Sequence, residues 1–491
     1  MSEAVTLPRE PEPRLRDQVR SAVIWRSGTQ IAGQLLTWVS TFLVIRVLSP
    51  SDYGLFAMTQ VVLVLLNMLN GYGLASALIQ RGEAGRHAQR QLFGMLILLN
   101  LALGLAQFLA APIAAAYYRQ PIVADLLRVQ ALLYIATPFI ALPYAILARE
   151  MDFKQQAKVN FASGLAGALA ALAGAYAGLG VWTLVLAPLV LFATRAIGMT
   201  WAARSLMRPS FDFRGAGDIA RYGGVMAFGQ IFWFIQSQAD VFIAGRLFDP
   251  HTLGIYTTSL FLTQIFVAKF VPPLNEVAFT AYARLKDDRN AVGSAFVKSA
   301  RVIMVVALPF YLGLAATAGP LVEVVLGPKW AEAAPIVHWL ALAMPMMTLQ
   351  ALYSPATDAC GRPGIGAQNG IVGAILLPAA FLVGVHWGLF GLVAAWFAAY
   401  PLYLAVSTWR TLPVIGVRFR DLVDAIAPPA LAAVAMAIIV SLLGHALPPM
   451  PALARLGLLA VTGAAVYGAW LTLFARSTLA EVLDMIRKRK G

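Results

Sequence analysis

The chain has 491 residues, of which 60% are hydrophobic and only 12% charged, and its mean hydropathy is +0.73. A soluble domain carries about 25% charged residues, so this composition excludes a water-facing globular body and points to a polytopic α-helical membrane protein. The formal net charge of +14 would suggest nucleic acid in a soluble chain; in a multi-span protein, basic residues mark cytoplasmic loops instead, and no nucleic-acid partner is expected.

In chain order, residues 1–21 are polar and mixed in charge and read as a cytoplasmic N-terminal tail rather than a signal peptide. Fourteen transmembrane helices are predicted after it. They cover roughly 22–45, 54–79, 91–116, 126–148, 160–178, 181–203, 217–245, 254–275, 295–318, 331–355, 363–385, 389–409, 425–446 and 453–475. Pro138, Pro188, Pro272 and Pro273 fall inside them, where lipid-embedded helices tolerate kinks. Residues 476–491 form a basic cytoplasmic tail.

The odd-to-even hairpins hold few cations: Arg46, Arg119, Arg128, Arg246, Lys329 and Arg455. Nearly all the other basic residues fall on the opposite side, and such a bias sets orientation. Both termini are therefore expected in the cytoplasm, which an even number of spans requires.

Two hairpins repeat one another. VIRVLSPSDYGLFAM (44–58) and IAGRLFDPHTLGIYT (243–257) align Arg46 with Arg246, Pro50 with Pro250 and Gly54 with Gly254. Between the fifth and sixth spans Gly180 aligns with Gly388, between the eleventh and twelfth. The expected architecture is two parallel six-helix lobes, 22–205 and 215–410, flanking a central cavity. Helices thirteen and fourteen, 421–475, are appended to the second lobe.

Polar residues inside spans are the informative ones, because a charge near the bilayer centre costs about 2.5–3.5 kcal/mol even on insertion scales. Lys269 is the deepest cation singled out, on span eight, and Arg26 opens span one, followed by Gln30, Gln34 and Thr37 on the same helical face. Span two offers Asn67. With Arg26 and Lys269, these residues make candidates for binding an anionic cargo, although helix–helix hydrogen bonding is the commoner role for such amides. Asp240 and Asn369 are candidates for a coupling cation. The spacings Gly174/Gly178 and Gly366/Gly370 suit close helix packing.

No P-loop and no H-E-x-x-H pair occurs, the five histidines are scattered, and the single cysteine, Cys360, supports no disulfide framework. No catalytic residues, cofactor or metal site are expected.

The stretch SGTQIAGQLLTWVSTFLVIRVLSPSDYGLFAM (27–58), with its R-x-L-S-P-x-D-Y-G motif, resembles the N-terminal signature of bacterial polysaccharide-transport proteins. These are the Wzx-type oligosaccharide-lipid flippases of the multidrug/oligosaccharidyl-lipid/polysaccharide exporter superfamily. The resemblance implies a flippase that moves an undecaprenyl-diphosphate-linked oligosaccharide across the bacterial inner membrane, alongside polysaccharide polymerase and export machinery. It also implies that Arg26 and Lys269 meet the diphosphate. Related flippases place a sodium site on spans seven, eleven and twelve; Asp240 and Asn369 match part of it, and span eleven lacks a second carboxylate. A multidrug or cation exporter of the same superfamily is the alternative, and a membrane-bound glycosyl- or acyltransferase a third reading that lacks an acid, His or metal cluster to support it.

Overall fold

The computed structural model describes residues 33–69, 85–150, 152–212 and 217–476, with backbone alone for 217–230. The described residues are helical, and ten stretches among them are long and apolar enough to cross a membrane. The helices are α1 (Gly33–Val47), α2 (Pro50–Asn67), α3 (Arg86–Tyr118), α4 (Ile122–Arg149), α5 (Phe153–Tyr176), α6 (Val181–Ala202) and α7 (Gly217–Leu247). There follow α8 (Pro250–Arg284), α9 (Arg289–Ala316), α10 (Ala333–Ala359), α11 (Pro363–Gly384), α12 (Gly388–Thr411), α13 (Phe419–Ala446) and α14 (Ala452–Phe474). α4 is interrupted at Thr137, which keeps helical dihedrals (φ −58, ψ −45), because Pro138 has no N–H to continue the hydrogen-bond ladder. α9 starts at Arg289, six residues before the expected 295, because Asp288 caps it by accepting from the N–H groups of Asn290 and Ala291 at 2.9 and 3.2 Å.

The chain divides into two compact units, one of residues 1–44, 68–109 and 127–226, the other of 45–67, 110–126 and 227–491. In the first, Leu92, Phe93 and Leu96 of α3 pack on Ala141, Leu142, Ala145 and Ile146 of α4. α5 and α6 approach closely at glycines: a Cβ on Gly167 would lie 2.8 Å from Leu191, and one on Gly174 would lie 3.1 Å from Thr183. Gly178 serves differently from the expected packing role. Its φ of +74 makes it a turn residue, placed where the chain leaves α5. Gly180 (φ +53, ψ −133) and Gly388 (φ +71, ψ −157) start α6 and α12 in nearly the same left-handed conformation, so the aligned pair shares a backbone geometry that favours glycine.

In the second unit the echoed hairpins meet each other. Ser49 caps α2 through a reciprocal pair with Asp52, and Asp249 caps α8 by accepting from the N–H groups of His251 and Thr252. Pro50 and Pro250 take the first helical positions, where the missing N–H costs nothing. One turn later α2 and α8 cross backbone to backbone. A Cβ on Gly54 would lie 1.8 Å from the Pro250 carbonyl oxygen, and a Cβ on Gly254 would lie 1.7 Å from that of Pro50. No side chain fits on either side of this reciprocal contact.

Cations hold the nearby helix ends. Arg246 donates to the carbonyls of Ala116 and Tyr117 at the end of α3 and lies over the Tyr117 ring at 5.3 Å. Lys329 donates to Val47 O at 3.0 Å and Trp330 Nε1 to Ile45 O at 2.9 Å, closing the end of α1. Arg455 likewise donates to Gly444 O near the end of α13. Arg46, the counterpart of Arg246, is exposed, with its side chain 3.6 Å from the Cβ position of Gly327. α13 and α14 pack on α9 through Val305, Ala432 and Leu471, and Tyr467 donates to Val305 O at 2.8 Å.

Candidate functional site

Within the first unit, α1, α4, α5 and α6 enclose a cavity of about 360 Å³ lined by Gln34, Thr37, Tyr144, Gln156, Asn160 and Arg195, among others. Gln156 and Asn160 lie one turn apart on α5, so both reach one face. Gln156 donates to Tyr144 O at 3.1 Å and Thr37 to Gly33 O at 2.8 Å. Arg195 Nε donates to Ser163 Oγ at 3.3 Å, which in turn donates to Asn160 O at 3.0 Å. These bonds aim polar groups into the space between four apolar helices.

Arg195 is the residue that sequence reasoning missed. It is half-buried and lies seven residues before the end of α6, about 10 Å along the axis at the helical rise. The signal was present as a lone guanidinium inside the run VLAPLVLFATRAIGMTWA. Lys269 is therefore accompanied by a second cation within a span. Among the described residues no aspartate or glutamate lines the cavity.

The other expected residues scatter. Gln34 joins the cavity; Arg26 and Gln30 lie outside the described residues. Asn67 is exposed at the C-terminus of α2. Lys269 is exposed on α8 near the stacked Phe266–Phe270 pair and makes no ion pair with a described residue.

In the second unit, Asp240 is buried. It accepts from Tyr256 Oη at 2.7 Å, and that hydroxyl also receives the Trp396 indole N–H at 3.0 Å. The other carboxylate oxygen accepts from Val241 N at 2.8 Å. Asn369 is buried with its Oδ1 unpartnered, and no hydrogen bond joins it to Asp240. Gln236 Nε2 bonds Gly370 O at 2.9 Å, and its Oε1 would sit 2.5 Å from a Cβ on Gly373. Tyr403 would approach that same Cβ at 2.9 Å. The position one turn beyond Asn369 on α11 thus has no room for a carboxylate, in keeping with its absence from the sequence. Among the described residues no group of three or more His, Cys, Asp or Glu is placed to hold a metal.

A family model described as "Polysaccharide biosynthesis protein" matches residues 43–335. The chain is 27% identical to the succinoglycan biosynthesis transport protein ExoT of Rhizobium meliloti, over 93% of each chain. It is 24% identical to the teichuronic acid biosynthesis protein TuaB of Bacillus subtilis, over 87% of this chain and 89% of that one. With the lipopolysaccharide biosynthesis protein WzxC of Escherichia coli the identity is 21%, over 83% and 84%. Among solved structures, it is similar to the lipid II flippase MurJ in an inward closed conformation, with a TM-score of 0.76 and 12% identity over 93% of this chain and all of that one. An inward-facing multidrug resistance transporter of the MATE family gives a TM-score of 0.61 and 16% identity over 80% of this chain and 98% of that one. At these identities the solved structures speak for the fold alone.

Proposed function

The chain belongs to the polysaccharide biosynthesis protein family, and from that premise we propose that it is a flippase for a lipid-linked oligosaccharide. Its cargo is an undecaprenyl-diphosphate-linked repeat unit, carried across the bacterial inner membrane by alternating access for exopolysaccharide or other surface-polysaccharide synthesis. The proposed frame is fourteen spans, two parallel six-helix lobes around a central cavity plus the α13–α14 pair, with both termini cytoplasmic. The relatives named above, transport and biosynthesis proteins for surface polysaccharides, support this reading.

The observation that carries it is Arg195 opening into a polar cavity between span helices, beside Gln34, Gln156 and Asn160. A cation costs about 2.5–3.5 kcal/mol at the bilayer centre, and an ion pair at about 4 Å returns roughly 4 kcal/mol at an effective dielectric of 20. A phosphorylated head therefore balances the cost of the cation and still leaves. A cationic drug would meet the wrong sign here, which is why the exporter reading is set aside. In the proposed cycle Arg195 and Gln34 receive the polar head in the first unit, and Arg26 and Lys269 contact the diphosphate.

Removing the protein from its host should make the lipid-linked intermediate accumulate in the inner leaflet; normal delivery to the outer leaflet would sink the proposal. In the same assay, Lys269→Ala is expected to cut polymer export about tenfold or more, the value of a lost charged contact, while the protein still inserts. Undiminished export by that variant would remove Lys269 from the cargo path.

A further inference from the structure

Away from the cavity beside Arg195, α4, α5 and α6 also line a long groove of about 1520 Å³. On α5 it is bordered by Gln155, Lys158, Val159 and Ala162, which recur at spacings of three and four and share one face. The Arg195 cavity takes Gln156, Asn160 and Gly164 from the opposite face, so the two openings are separate. The floor of the groove is α6, approached so closely that a Cβ on Gly198 would lie 2.8 Å from Val159 Cγ1. That crossing sets the register of the antiparallel pair and brings the start of α5 level with the end of α6. The floor runs from Leu189 to Ala202, about 20 Å at the helical rise, or half the ~40–45 Å of a bilayer with its head groups.

The chemistry changes along that length. The body is lined by Leu132, Ile135 and Phe139 of α4 and by Phe192 and Ile197 of α6. Its hydroxyls are turned onto backbone: Thr194 donates to Val190 O at 2.8 Å and Thr200 to Phe139 O at 3.1 Å. Where α4 is interrupted, the N–H and the hydroxyl of Thr137 both donate to Leu133 O, at 3.2 and 3.1 Å, which satisfies that carbonyl beside lipid. Charge enters at one end only, with Lys158 in the second turn of α5 and Arg204 just past the end of α6. Both are exposed, and neither side chain bonds a described residue. Among the described residues no aspartate or glutamate lines the groove. Arg204 has φ +45, a position that glycine fills at lower cost, so its guanidinium is placed there against the backbone's preference. Trp201, 84% exposed, marks the same end, as tryptophan does at a membrane–water interface.

We propose that this groove holds an anionic glycerophospholipid of the phosphatidylglycerol type, with its phosphate at Lys158 and Arg204 and its acyl tails along α6, a site separate from the cargo path. Basic pockets between helices at a membrane face are suited to such heads. A free anion would use the cations and not the apolar length. A zwitterionic lipid, whose ammonium cancels its phosphate, would gain little from the cations. A tail much longer than one leaflet would overrun the groove at Leu132 and Leu189. The bound lipid fills the space where α4 and α5 part over α6, and so braces the interrupted helix.

The test uses the full chain purified in detergent, scored by native mass spectrometry and by thermal midpoint, with no transport readout, so its failure and that of the flippase reading are separable. Phosphatidylglycerol should remain bound and raise the midpoint, while phosphatidylcholine should do neither. Lys158→Ala/Arg204→Gly should weaken phosphatidylglycerol retention about tenfold or more, each cation near an anionic surface being worth severalfold. Its lipid-free midpoint should hold, because both side chains are exposed and glycine suits the φ of +45. Ala193→Trp, at an exposed position in the body of the groove, leaves both cations in place and should lose retention as well, by occupying the path of the tails. Equal retention of the two lipids, or unchanged retention in either variant, overturns the proposal. So does an equal midpoint shift from inorganic phosphate alone, which would make the site one for a free anion.

Discussion

Gly54→Ala is expected to destabilise the protein by about 1–3 kcal/mol, the range for forcing atoms into a packed site, and to depress transport. The added Cβ would lie 1.8 Å from Pro250 O, against the ~3.5 Å that non-bonded atoms prefer. The obstacle is backbone, so no rotamer change relieves it and α2 and α8 must separate. Gly254→Ala should act equally, through Pro50 O at 1.7 Å. The double variant should be no better than either single one, because neither methyl makes room for the other. Thermal midpoints in detergent decide the matter, and a midpoint for Gly54→Ala equal to that of the parent would show that the crossing yields freely.

The second large effect is expected at Arg195. Arg195→Gln keeps a donor for Ser163 but removes the charge, so the thermal midpoint should hold while delivery of the lipid-linked intermediate falls about ten- to hundredfold, the worth of a charge-assisted hydrogen bond. Arg195→Lys should recover part of that loss, since an ammonium retains the charge without the planar two-donor fork. If the Gln variant lost stability and transport together, or neither, the guanidinium would be a packing element and not a cargo contact.

The all-helical character of the chain and the doubled capping of α2 and α8 were legible in the sequence because both rest on local rules. Apolar run length sets a span, and a capping residue followed by proline marks a helix start. That the doubled hairpins touch each other at Gly54 and Gly254 was not legible. The two glycines stand two hundred residues apart in sequence, and glycine at a helix crossing looks the same on paper as glycine in a turn. Gly178 shows the converse, a small residue at packing spacing that bends the chain. Arg195 escaped notice because it sits late in an apolar run and passes for the start of the basic loop after it; only the cavity beside Gln34 and Asn160 gives it a direction. Gln34 was legible as polar and in-span, but not as a neighbour of Arg195, which depends on how α1 and α6 pack. The absence of a second carboxylate on α11 was visible in the sequence, and the crowding of Gln236 and Tyr403 around Gly373 was not.

Arg246, Lys329 and Arg455 each grip carbonyl oxygens at or near a helix terminus, where the aligned peptide dipoles leave about half a unit of negative charge. Half of the six basic residues in the hairpins that charge bias would leave empty are thus already neutralised in part by the protein itself. In the folded protein these three cations therefore present less free charge to water or to lipid head groups than a tally of letters implies, and that face of the molecule should attract anionic lipid weakly.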